Sequence, residues 1–252
     1  LSYFNMGYWL IGLSAAVSMV GALIGFTCIR QSAKSSTGRF RTVWQAAAAV
    51  SIGGIGVWLP VFISMLGFSV HGSLVRYDVT NVILSVLVSV LAVWAALTIN
   101  GTVARVPRLI AAGVVMGAGF GLMHFLALDA IRIQGSASLR MPLVLAAAGV
   151  AIVTSLAALW FTQTWRPLSV LVGASLVFAA GIAGMHYTDL AGLQTHVSTS
   201  GVTPQGEDLF GFFVPVFVIS MMSLAIPISA ILVAPERRAP VAIRPLQPSS
   251  SR

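Results

Sequence analysis

The chain has 252 residues, 58% of them hydrophobic and 8% charged. A soluble domain carries about 25% charged residues, so this composition excludes a cytosolic enzyme or a nucleic-acid-binding module and places the chain in lipid. The net charge of +8 lies between apolar runs, where it reports orientation rather than a polyanionic partner.

The first apolar run, roughly 8–29, ends at Arg30 and is of spanning length, too long for a cleavable signal. It contains Cys28, the single cysteine, so neither an intramolecular disulfide nor a Cys-x-x-Cys metal site is available. Further runs follow at about 43–68, 79–99, 109–128, 141–161, 168–190 and 210–233. Backbone groups in hydrocarbon must be satisfied within their own segment, so all seven are expected to be helices. Gly53, Gly54, Gly56, Gly117, Gly119, Gly121, Gly181 and Gly184 stud these runs, and small residues let membrane helices pack closely. Trp9, Trp44, Trp160 and Trp165 stand near run ends, where amphipathic rings anchor at the interface, whereas Trp58 is deeper. Beyond the last run, 234–252 is rich in Pro and Ser and is expected to be a short disordered tail with no output domain attached.

Seven spans place the termini on opposite sides. The connections 30–42, 100–108 and 162–167, with the tail, hold Arg30, Lys34, Arg39, Arg41, Arg105, Arg108, Arg166, Arg237, Arg238, Arg244 and Arg252. The other side holds only Arg76, Arg132 and Arg140, together with Asp78, Asp129, Asp189, Glu207 and Asp208. By the positive-inside rule the first set is cytoplasmic, the N-terminus outside and the C-terminus inside. The expected fold is therefore an all-α, seven-transmembrane-helix bundle in a plasma membrane.

Two segments repeat. Gly117-Ala118-Gly119-Phe120-Gly121-Leu122-Met123-His124-Phe125 matches Ala179-Ala180-Gly181-Ile182-Ala183-Gly184-Met185-His186-Tyr187, and a weaker copy runs from Gly54 to Met65. Each copy ends an even-numbered helix, which suggests three two-helix repeats plus a final helix. At about 1.5 Å per residue, His124 then lies roughly 6 Å inside the outer boundary, with His186 at nearly the same level.

Ionisable residues inside membrane helices mark function by default. Imidazole is the commonest metal ligand and thioether is a soft one, so a His/Met site favours Cu(I) over magnesium or calcium. His124 and His186 are the candidate convergent ligands, with Met123, Met185 and Met65 completing the sphere or packing beside it. Neighbouring helical residues point about 100° apart, so Met123 and His124 need not bind one ion. Asp189 follows His186 by one turn and Asp129 stands near the exit of helix four; either carboxylate could orient a ligating imidazole, or simply solvate a helix end. His71 and His196 sit in polar loops and read as surface residues.

The string Met185-His186-Tyr187-Thr188, with Met123-His124-Phe125 as a second motif and Gly54–Phe68 as a diverged first, resembles the MHYT family of bacterial integral membrane sensor domains. The resemblance covers about residues 5–233. It implies a seven-helix domain with its motifs near the outer face, binding copper and through it sensing oxygen, carbon monoxide or nitric oxide. The first repeat departs from the pattern, since Pro60 and Val61 stand where Met and His are expected, so a three-histidine site is not available from the motifs and Pro60 is expected to kink helix two.

The leading expectation is a non-catalytic, copper-binding membrane sensor that signals through a separate protein partner. Three alternatives stay open: an accessory subunit of a larger membrane complex, a copper-delivery partner, and a haem b protein ligated by His124 and His186.

Overall fold

The computed structural model describes residues 2–102, 105–164, 167–198 and 203–233. Among the described residues seven helices are long and apolar enough to span a bilayer: α1 (Trp9–Lys34), α2 (Gly38–Met65), α3 (Val79–Asn100), α4 (Val106–Asp129), α5 (Met141–Thr164), α6 (Leu168–Leu190) and α7 (Leu209–Leu232). Helix α1 runs past Arg30 to Lys34 because long cationic side chains let the helix continue while their heads reach out of the apolar zone. Trp165 and the basic residues Arg166, Arg237, Arg238, Arg244 and Arg252, with the tail 234–252, lie outside the described residues.

Consecutive helices pack side by side from α1 to α6, and α6 returns against α1 to close a ring. Glycines set the spacing. A Cβ on Gly21 of α1 would come within 2.6 Å of the Gly56 backbone nitrogen, and one on Gly53 would come within 2.8 Å of the Ser89 carbonyl on α3. A Cβ on Gly117 would collide with the Ile152 backbone of α5. The repeated glycines are thus contact points at which packing replaces the absent hydrophobic driving force. Helix α2 is the most deeply enclosed, and α7 lies outside the ring against α1 and α2.

Two helices carry the effect of internal proline. In α2 the stretch Val50–Trp58 is π-helical, and the Leu59 amide donates to the Gly54 carbonyl, five residues back. Pro60 has no N–H to give the preceding turn, and Ser18 of α1 donates its hydroxyl to the Gly56 carbonyl of that turn at 2.6 Å. Ser14 donates to the Pro60 carbonyl at 2.9 Å, and Ser64 donates to Ser14 at 3.1 Å. The π-helical stretch that precedes Pro60 is braced by these bonds from the neighbouring helix. In α7, Pro227 cannot donate to the Ser223 carbonyl, and the span divides at Leu224 into Leu209–Ser223 and Ala225–Val233.

Caps fix other ends. Asp78 accepts from the Thr80 and Asn81 amides at the start of α3, and Asp208 accepts from Phe210 at the start of α7. Helix α3 stops at Gly101, whose φ of 67° is open to glycine.

The helical bundle matches the all-α expectation, and its connections add a little β structure. The connections at the histidine end form two small antiparallel sheets, Arg76–Tyr77 with Ile131–Arg132 and Gly135–Leu139 with Leu193–Val197. Main-chain groups that lie over the end of the bundle pair with one another rather than remain unsatisfied. Cys28 is buried in the core.

Candidate functional site

Helices α4 and α6 each bring a Met-His pair to the same end of the ring. The rings of His124 and His186 meet edge to face, with centroids 5.1 Å apart and planes at 70°. His124 Nε2 stands 2.8 Å from His186 Nδ1, and His124 Nδ1 stands 2.7 Å from Asp189 Oδ2. All three side chains are enclosed, at 0%, 2% and 1% exposure.

An ionised carboxylate only accepts hydrogen bonds. With Asp189 ionised, His124 donates through Nδ1, so its Nε2 accepts and His186 donates through Nδ1. His186 Nε2 is then left with an open lone pair, and this atom has no hydrogen-bond partner, as is also true of Asp189 Oδ1. Beside His186 lies a narrow crevice whose lining includes Ser14, Ser18, Pro60, Val61 and Ser64. The two positions at which the first repeat departs from Met-His therefore face the second histidine. Tyr187 packs against His186 on one side and Phe4 on the other, which links the N-terminal segment to the site.

Sequence proximity put Asp189 beside His186; the structure puts its carboxylate on His124 of the neighbouring helix. The short side chain bridges the α4–α6 gap, and burial overturns the solvated helix end. Asp129 is the opposite case: it is exposed and accepts from Asn81 Nδ2 at 2.9 Å, so its carboxylate ties the end of α4 to the first turn of α3. Met123, Met185 and Met65 are buried in the apolar core, and among the described residues no methionine sulfur hydrogen-bonds to either ring. Among the described residues no group of three His, Cys, Asp or Glu side chains is disposed to hold a metal ion. His71 and His196 are exposed, as expected. The serines on α1 and α2 carried no sequence signal, since nothing but the tertiary fold brings them beside His186.

The fold and site define a multi-pass membrane protein with a carboxylate-anchored imidazole pair buried at one end of its bundle. The MHYT family model, described as a bacterial signalling protein N-terminal repeat, matches residues 54–113 and 117–174. The chain belongs to the MHYT family of bacterial signalling proteins. It is 30% identical over 223 residues to the bifunctional diguanylate cyclase/cyclic di-GMP phosphodiesterase MucR of Pseudomonas aeruginosa, covering 82% of this chain and 31% of that protein. It is 30% identical over 193 residues to the cyclic di-GMP phosphodiesterase NbdA of the same organism, covering 72% and 24%. An uncharacterized signalling protein of Caulobacter vibrioides is 24% identical over 222 residues, covering 86% and 26%. The chain thus spans a third or less of these relatives. No solved structure matches.

Proposed function

We propose that this chain is a copper-binding membrane sensor domain whose site, near the outer face, reads a diatomic gas or the metal itself. The observation that carries the reading is the enclosed Asp189–His124–His186 chain. A soft monovalent ion suits opposed imidazole nitrogens, and a carboxylate behind a ligating histidine is the usual arrangement for fixing its tautomer. His124 and His186 would hold the ion, Asp189 would hold His124, and Met123, Met185 or Met65 would complete the sphere after a rotamer change. As it stands the 2.8 Å contact between the rings is a hydrogen bond, so metal entry would displace its proton and affinity would fall as pH falls.

The positive charges gathered at Arg30, Lys34, Arg39, Arg41, Arg105 and Arg108 support a cytoplasmic assignment for the opposite end. The site joins α4 to α6, so a change of ligand there alters the packing of two helices that both reach that end. The relatives' printed activities support an output in cyclic di-GMP synthesis or hydrolysis, with this chain contributing binding and not catalysis.

The test is elemental analysis and absorption spectroscopy of protein purified in mild detergent. The expected result is about one copper per chain in the wild type and none in a folded His124→Ala/His186→Ala variant. A Soret band would transfer the reading to bis-histidine haem b. Co-purification of a metalloenzyme in place of a cytoplasmic regulator would favour an accessory or copper-delivery subunit. No bound metal or haem, with the variant indistinguishable from the wild type, overturns the sensor reading.

A further inference from the structure

A second site lies at the other end of the bundle. The last turns of α1, α3 and α5 and the first half of α2 enclose a pocket of about 440 Å³. Arg30, Lys34, Gln45, Asn100, Thr162 and Gln163 supply its polar wall, and Ile29 and Leu97 supply apolar surface. Its volume falls in the range of small-molecule sites, and the mixed lining is typical of a site that fixes the orientation of a ligand.

Two features specify the ligand. First, two cationic side chains line the pocket and no acidic one does. The acids of the described residues, Asp78, Asp129, Asp189, Glu207 and Asp208, are all at the histidine end. Second, Asn100 is 2% exposed, and its side-chain oxygen has no hydrogen-bond partner. A buried acceptor left in this state calls for a donor from outside the chain. The carbonyl ends of α1 and α3 converge on the same wall, and their partial negative charge opposes an anion placed deep in the pocket while favouring a donor there.

From this arrangement we infer that the pocket binds a phosphate ester carrying a hydroxyl or ammonium group, with the phosphate at Arg30 and Lys34 and the donor turned inward to Asn100. Cationic side chains on flexible stems hold phosphate as charged hydrogen-bond donors. The pocket's place at the end of the spanning helices, with Ile29 and Leu97 beside it, suits the headgroup of a membrane phospholipid such as phosphatidylglycerol. The same chemistry is offered by a soluble phosphate ester, glycerol 3-phosphate. The site is separate from the imidazole pair and does not depend on metal.

The experiment is native mass spectrometry of the full chain released from detergent, paired with thermal unfolding. The added probes are phosphatidylglycerol, phosphatidylcholine and glycerol 3-phosphate. Phosphatidylcholine has the phosphate and lacks the donor. The expected result is one phosphatidylglycerol retained per chain with a raised unfolding temperature, at least tenfold weaker retention of phosphatidylcholine, and tenfold loss in Asn100→Leu. Because Asn100 is buried, Lys34→Gln and Gln163→Ala serve as variants at less enclosed positions, and both are expected to weaken retention severalfold. Stabilisation by glycerol 3-phosphate without lipid retention assigns the same chemistry to a soluble ligand. Equal retention of both lipids, unchanged by all three variants and with no response to glycerol 3-phosphate, overturns the proposal.

Discussion

Ser18 of α1 donates its hydroxyl to the Gly56 carbonyl of α2, in the turn whose backbone hydrogen bonding Pro60 interrupts. Without that donor a buried carbonyl would lose a partner, at a cost of about 1–3 kcal/mol. Ser18→Ala should destabilise the bundle by that order in thermal unfolding. In a Pro60→Ala background, where the helix can make its own bond, the cost should fall to less than half. Equal costs in both backgrounds would show that the serine does not compensate for the proline.

The two carboxylates near the motifs should separate sharply. Asp189→Asn keeps the shape but removes the acceptor charge behind His124, and copper affinity should fall roughly 10–100-fold. Asp129→Asn, which removes only the charge from an exposed acceptor of Asn81, should leave affinity within about twofold of the wild type. Competition titration with a Cu(I) chelator measures both.

The crevice beside His186 is lined by Val61. Val61→His should bring a third imidazole into the crevice beside His186 and tighten Cu(I) binding on the order of tenfold, equivalent to about 1.4 kcal/mol. Unchanged affinity in a folded Val61→His protein would place the metal away from this crevice.

Close helix approach makes the motif glycines intolerant of bulk. Gly117→Leu forces α4 away from the Ile152 backbone and should cost at least about 1–3 kcal/mol, with loss of metal binding as the α4–α6 register shifts. Gly149, which has open space around it, should accept alanine with little effect on unfolding. Parallel unfolding curves for the two positions check this.

At the histidine end, Arg132 donates to the Asp78 carboxylate at 3.0 Å, and this bond, followed by the Asn81 and Thr80 amides, holds its pKa below the ordinary 3.8. A depressed carboxylate stabilises the fold above its unfolded value, and that contribution is lost as pH falls through the lower, folded value. The loss therefore belongs below pH ~4, and it should be small because the pair is partly exposed. Arg132→Gln should raise the Asp78 titration toward 3.8, read by carboxyl carbon NMR in micelles.

Much of the architecture was legible in the chain because lipid imposes a simple rule. Every span had to be a long apolar helix, and seven were readable from length and hydropathy alone. The boundaries were less so. Helix α1 outruns its apolar stretch to Lys34, and α2 begins at Gly38, ahead of its apolar run, since polar turns continue a helix at an interface. The short sheets over the histidine end were invisible because their pairing partners lie far apart in sequence.

The site divides along the same line. Composition, periodicity and the repeated Met-His determined that two imidazoles sit at matched depth on α4 and α6, since helical geometry converts sequence position directly into height. Whether the rings face each other, that Asp189 serves His124 rather than its own helix neighbour, and that Ser14 and Ser18 brace the turn before Pro60 were decided by the azimuth and spacing of packed helices. Those quantities come from glycine contacts between helices distant in the chain, and a one-dimensional pattern does not encode them.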